Sequence, residues 1–192
     1  MGAYSTHAGS VEEHGRKRLC LLKVAGKLGK GKGDQDMKPV SLKEIVDRLD
    51  CFMDGWNHYL NKKTGDIVEI QMEYLSIAEE SEDDDDFSEY EDWEQDSIRE
   101  AVDVVENWGD YVELPDREEV NEYRIMENFC YSQEDDKLRN KLCYSIDGKG
   151  AFRRFRDVII KHGIEKEWDS YKYEALCEIV REWCEFHEID YK

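Results

Sequence analysis

Apolar residues recur at helical spacing through most of this chain, interrupted by one short stretch of strand-like alternation. From Ser41, the positions Leu42, Ile45, Val46 and Leu49 fall on one face, predicting a short amphipathic helix to about Phe52. Ser41-Leu-Lys-Glu44 reads as its capping box, with the Ser hydroxyl and the Glu carboxylate each taking a backbone N–H that the first turn leaves free. Two runs follow, Trp56–Leu60 and Asp66–Met72, joined by Asn61-Lys-Lys-Thr-Gly65. The alternation in the second run and the Gly-terminated connection predict a β-hairpin near 56–72.

Beyond the hairpin the helical period returns. Glu73–Ser81 predicts a helix, and Ser97-Ile-Arg-Glu100 reads as a capping box opening another through about Asn107. The stripe of that second helix is Ile98, Ala101, Val102 and Val105. Tyr111–Leu114 fits a short strand ended by Pro115, and Asp116 with Glu119 opens a helix carrying Val120, Tyr123, Ile125, Met126, Phe129 and Cys130. Ser132 with Asp135 starts the next, bearing Leu138, Leu142, Cys143 and Ile146 and stopping at Gly148. Ala151–His162 follows, with Phe152, Phe155 and Ile159 facing the core. Gly163 ends it, and Ile164 packs back in the manner of a Schellman motif. A last helix spans about Glu165 to Phe186. The pattern sums to an α+β fold: a mostly helical domain with a small antiparallel sheet and a C-terminal helical bundle.

Composition changes this picture at the N-terminus. Residues 1–36 hold seven of the thirteen glycines and sustain no period of either kind. They read as an extension outside the domain, and 37–192 as a single acidic α+β domain. Because Gly29-Lys-Gly-Lys-Gly-Asp34 resembles a translated ribosome-binding site just upstream of Met37, the natural start is expected at that methionine. Gly26-x-x-x-x-Gly31-Lys32 has the outline of a phosphate loop. Gly33, however, stands where a Ser or Thr must hold magnesium, and no βα unit follows.

Charge narrows the choice of partners. The formal net charge is −20, from 47 acidic and 27 basic residues. A field of that sign repels nucleic acid and anionic membranes and favours basic proteins or cations, although it also serves solubility alone. Residues 79–96 carry twelve acidic side chains in eighteen and read as a solvated loop. That loop lacks the spaced ligands and central Gly of a calcium-binding EF-hand. Tyr90 and Trp93 beside it either mark a docking site or fold back onto the core.

Six cysteines (Cys20, Cys51, Cys130, Cys143, Cys177 and Cys184) form no C-x-x-C, and four lie on apolar helix faces; free thiols in a reducing cytosol fit best. No run of eighteen apolar residues exists, so no membrane-spanning helix is expected.

Several segments together resemble a known bacterial family. They are His58-Tyr-Leu-Asn-Lys-Lys-Thr-Gly-Asp-Ile-Val68, Tyr111-Val-Glu-Leu-Pro115, Glu122-Tyr-Arg-Ile-Met-Glu-Asn-Phe129, Gly148-Lys-Gly-Ala-Phe-Arg-Arg-Phe-Arg-Asp157 and Glu182-Trp-Cys-Glu185. In this order they resemble uncharacterised protein family 0158, from about Met37 to Lys192. The chain departs from the family in lacking a proline before the tryptophan near Trp93. The resemblance implies a cytoplasmic bacterial protein of no established activity and supplies no catalytic residues.

Candidate chemistry is sparse. Cys184 and His187 stand at i, i+3, a spacing open to a nucleophile and its base, and Cys177 would add a third ligand for zinc. More often such residues are core thiols and a histidine complementing a helix end. The segment that contradicts the overall charge is stronger. Lys149, Gly150, Arg153, Arg154 and Arg156 cluster where a glycine-bracketed turn meets a helix start, an arrangement suited to an anion or an acidic partner. Its competing explanation is pairing with the domain's own carboxylates. The favoured reading is a non-enzymatic protein-interaction or regulatory module that engages a basic protein or a small anionic ligand and needs no cofactor or metal. The competing reading is a metal-assisted hydrolase of a phosphate-containing substrate, its acidic side chains ligating metal and its arginines clamping the anion.

Overall fold

A computed structural model describes residues 39–82 and 85–192. The readings of residues 1–36, of the start at Met37 and of Cys20 lie outside the described residues. Helix α1 (Leu42–Asp50) begins at Ser41, whose hydroxyl accepts from Glu44 N at 3.3 Å, and it buries Ile45, Val46 and Leu49. Strands β1 (Trp56–Asn61) and β2 (Ile67–Gln71) form the expected hairpin, with Trp56 opposite Gln71 and Leu60 opposite Ile67. Asn61 shapes the connection, its side-chain oxygen accepting from Lys63 N at 2.9 Å, and Gly65 takes the left-handed φ of +79° that closes it.

Helix α2 (Met72–Glu80) leads through the acidic segment to α3 (Asp92–Glu106). A single 3-10 turn, Trp108–Asp110, precedes β3 (Tyr111–Glu113), which pairs antiparallel with β1 to give the order β2-β1-β3. Then come α4 (Arg117–Val120), α5 (Glu122–Ser132), α6 (Asp136–Ser145), α7 (Ala151–His162) and α8 (Glu165–Phe186). The fold is α+β and mostly helical, as the periodicity predicts.

The sheet is covered on both faces, and the two-residue period of β1 decides which side chain goes where. Leu60 joins α1 and α8 in one core, with Val180 and Leu176. Tyr59, pointing the other way, joins α2 and α3 with Ile98, Ala101 and Val104. A third core gathers α5, α6 and α7 around Phe129, whose ring meets Phe155, Trp168 and Tyr171 edge-on at 6.0, 5.3 and 5.3 Å. The chain ends beside its first described strand residue, where Val40 N donates to Asp190 O at 2.9 Å and Lys192 N to Val40 O at 3.0 Å.

Several local expectations are corrected. Helix α3 starts at Asp92 rather than Ser97, because Glu91 and Glu94 supply the capping box and carboxylates are favoured at a helix N-terminus. Ser97 sits inside the helix, its hydroxyl donating back to Trp93 O. The acidic stretch is consequently part helix, and Phe87 and Tyr90 fold back onto the second core while Trp93 stays 62% exposed. Val104 joins Ile98 and Ala101 as fully buried, and the expected Val102 and Val105 pack partly buried against the same core.

The helix after Asp116 is broken in two. Asp116 and Glu119 do form their capping box, but Asn121 adopts φ +44° and recaps the chain by accepting from Arg124 N. Asp135, not Ser132, caps α6, because Ser132 is still the last residue of α5. Tyr123 and Phe152 point outward instead of into the core.

Candidate functional site

The basic cluster sits on a helical hairpin made by α6 and α7. Asp135 starts it by accepting from Lys137 N at 2.7 Å and Leu138 N at 3.4 Å. Leu142 and Ile146 from α6, and Ala151, Phe155 and Ile159 from α7, are buried in the third core and fix the pair against α5 and α8. Between them, residues 146–150 make a tight reversal in which Gly148 and Gly150 hold φ values of +72° and +77°. Gly163 ends α7 at φ +68°, and Ile164 N reaches Ile159 O at 3.1 Å, closing the expected Schellman turn.

Arg154 binds the reversal together. Its Nε donates to Ser145 O at 3.0 Å, and its terminal nitrogens donate to the carbonyls of Asp147, Gly148 and Lys149. These oxygens belong to the end of α6 and its turn, where carbonyls lack helical partners and the macrodipole is negative. The intramolecular partner of Arg154 is therefore backbone carbonyl, not the acidic side chain that the charge balance suggests. Gly150 serves the same arrangement, since a Cβ there would stand 3.3 Å from the Arg154 guanidinium.

The other candidates face solvent. Lys149 is exposed in the turn, and Arg153 and Arg156 are exposed on the outer surface of α7 beside Phe152. None of the three forms an ion pair with a described residue. The cluster thus separates into a structural half, Gly150 and Arg154, and a solvent-facing half, Lys149, Arg153 and Arg156.

The basic surface extends beyond the turn. From Lys137 to His162 the chain carries eight Lys or Arg and two Asp, against −20 for the whole. A groove of about 520 Å³ runs between α6 and α7, with Lys141 and Tyr144 on one wall and Lys161 and His162 on the other. A charge count over the entire hairpin marks this surface, whereas the turn alone does not include Lys141, Tyr144, Lys161 or His162. A second groove, of about 660 Å³, lies at the junction of α1, α4, α5, α7 and α8. There Lys172 is held by Asp50 at 2.9 Å and Glu122 at 2.6 Å, so its charge is already balanced.

Of the remaining candidates, the two cysteines are core groups and the histidine is half-buried at the end of α8. Cys177 and Cys184 are buried, and burial pushes the Cys184 thiol up to about 11, away from the thiolate that nucleophilic chemistry needs. The His187 ring packs at 5.0 Å from those of Trp183 and Phe186, and its pKa is held below the usual value mainly by burial. Among the described residues no three His, Cys, Asp or Glu side chains converge as metal ligands. No described helix is long and apolar enough to cross a membrane.

The model of UPF0158, described as an uncharacterised protein family, matches residues 37–192. No curated protein and no solved structure matches the chain.

Proposed function

The chain belongs to the uncharacterised protein family UPF0158, and we propose that it acts there as a protein-interaction or regulatory module whose α6–α7 hairpin docks an acidic partner. One observation carries this reading. Arg153 and Arg156 stand exposed on the outer surface of α7, in a protein where acidic side chains outnumber basic ones 47 to 27. Several exposed cations elsewhere find local acids: Lys43 pairs with Asp47 at 2.5 Å, Lys63 with Asp110 at 2.5 Å and Arg117 with Asp54 at 2.8 Å. Two arginines that keep their forks open against that background suit bidentate recognition of carboxylate by a partner surface. Neither arginine lines the two grooves described above, and open exposure on a helix surface favours docking over turnover. A cytoplasmic bacterial setting accords with the family resemblance and with free thiols.

The test uses the full chain, tagged and crosslinked in bacterial lysate, beside an Arg153→Glu/Arg156→Glu variant. Arg154 is left in place because it supports the turn. A defined protein captured by the wild type, lost in the variant and released by salt supports the reading. The same capture profile from both proteins overturns it.

A further inference from the structure

We propose that the groove between α6 and α7 is a binding site for a small phosphorylated ligand with an aromatic ring, a nucleotide by chemical class. The first argument is that the groove carries more positive than negative charge, with Lys141, Arg154 and Lys161 against Asp157. Lys141 Nζ lies 3.5 Å from His162 Nε2 across the two helices. Lys141 and Lys161 form no ion pair with any described residue. Asp157, the one acid on the wall, stands four residues before Lys161 without pairing with it. Arg154 adds a fixed positive charge from the floor while its own N–H groups are spent on carbonyls. Cations gathered in a concave site, with no acid satisfying them in so acidic a protein, are arranged for an incoming anion.

The second argument is the aromatic beside them. Tyr144 is 82% exposed, and its ring lies on the same wall as Lys141, one helical turn on. A phosphate held between Lys141 and Lys161 leaves room in about 520 Å³ for a base to stack on that ring. The Asn140 amide and the Asp157 carboxylate supply the donor and acceptor that base edges and ribose hydroxyls require.

Size follows from the field of the whole protein. At a net charge of −20 the repulsion on an approaching anion grows with that anion's own charge. A mononucleotide of two or three charges meets a modest penalty, whereas a nucleic acid strand meets it along its length. The outer face bearing Arg153 and Arg156 is a separate surface, so this site stands apart from the docking role.

Titration of the full-length protein with the common ribonucleoside diphosphates, followed by tyrosine fluorescence and calorimetry, tests the proposal. Saturable binding of at least one of them is expected. Lys141→Glu/Lys161→Glu should weaken it about tenfold or more. Tyr144→Ala should weaken the nucleotide while leaving inorganic phosphate unchanged, and Arg153→Glu/Arg156→Glu should leave both unchanged. All these side chains are exposed or groove-lining, and unaltered melting curves verify that the variants fold. The proposal fails if no diphosphate saturates the protein, or if affinity is the same in the lysine variant. It fails equally if inorganic phosphate binds as tightly as the nucleotide, or if a single-stranded oligonucleotide binds more tightly than the mononucleotide.

Discussion

Arg154 reaches back across the turn to the helix that precedes its own, its Nε donating to the Ser145 carbonyl at 3.0 Å. One side chain thereby closes the C-terminal end of α6 from within the first turn of α7. The geometry depends on a planar fork that serves several carbonyls at once, which an ammonium on a flexible stem cannot reproduce. Arg154→Met is expected to lower unfolding free energy by about 1–3 kcal/mol, the usual range for losing charge-assisted hydrogen bonds. Arg154→Lys should recover little of it. Urea unfolding of the two variants beside wild type checks this; a midpoint unchanged in Arg154→Met would mean that water satisfies those carbonyls equally well.

Phe129 is the hub of the bundle, touching Phe155, Trp168 and Tyr171 while 2% exposed. Truncating it removes edge-to-face contacts with three rings on two helices and leaves a cavity that rigid helices close poorly. Phe129→Ala should cost about 3–5 kcal/mol. By comparison Phe152→Ala, at a position expected to face the core but 51% exposed, should be nearly silent. Paired thermal melts decide the matter, and comparable losses from the two would show that the assignment of faces is wrong.

Most of the fold could be read from local chemistry, and the exceptions have identifiable causes. Ser41, Asp116 and Gly163 announce their helix ends because each satisfies backbone groups by itself. Helix α3 starts ahead of its expected position because two capping boxes compete, and the one at Glu91 uses acidic residues in a stretch whose charge suggests loop. The break at Asn121 was invisible to periodicity, since α4 and α5 keep an apolar stripe that runs through it. In the basic cluster the turn was legible but the division of labour was not. Arg153 and Arg154 are identical in sequence terms, and only the position of the α6 carbonyls makes one structural and leaves the other facing solvent.

Thiol reactivity should separate the cysteines by burial. Cys51 is exposed, whereas Cys130, Cys177 and Cys184 are buried, and burial raises the Cys130 thiol to about 12. Iodoacetamide at neutral pH should modify Cys51 in the native protein and reach those three when urea is added. Mass spectrometry of the labelled peptides reads this directly. Rapid native labelling of Cys184 would reopen the case for a reactive thiol beside His187.

Acid should weaken the fold through His58. The ring is 7% exposed, with Nε2 at 3.7 Å from Glu69 Oε1, and Glu69 is itself paired with Arg48. Burial lowers the His58 pKa below the usual 6.5; the Glu69 carboxylate opposes that shift, and Arg48 adds to it. The unfolded chain therefore takes up this proton more readily than the folded one. Stability is full above the unfolded value and falls as pH drops through 6.5 toward the lower folded value. Loss of negative charge on acidification acts in the opposite direction by relieving self-repulsion, so the slope of the wild type alone does not isolate the histidine. The difference between wild type and His58→Gln does. Across about pH 7.5 to 5.5, unfolding free energy should decline less steeply in the variant, since its residue 58 carries no titrating proton. The residual decline includes His187, whose pKa is also lowered by burial, with Lys62 assisting and Glu119 opposing. Parallel curves for the two proteins would mean that the His58 ring gains a proton as easily in the fold as out of it.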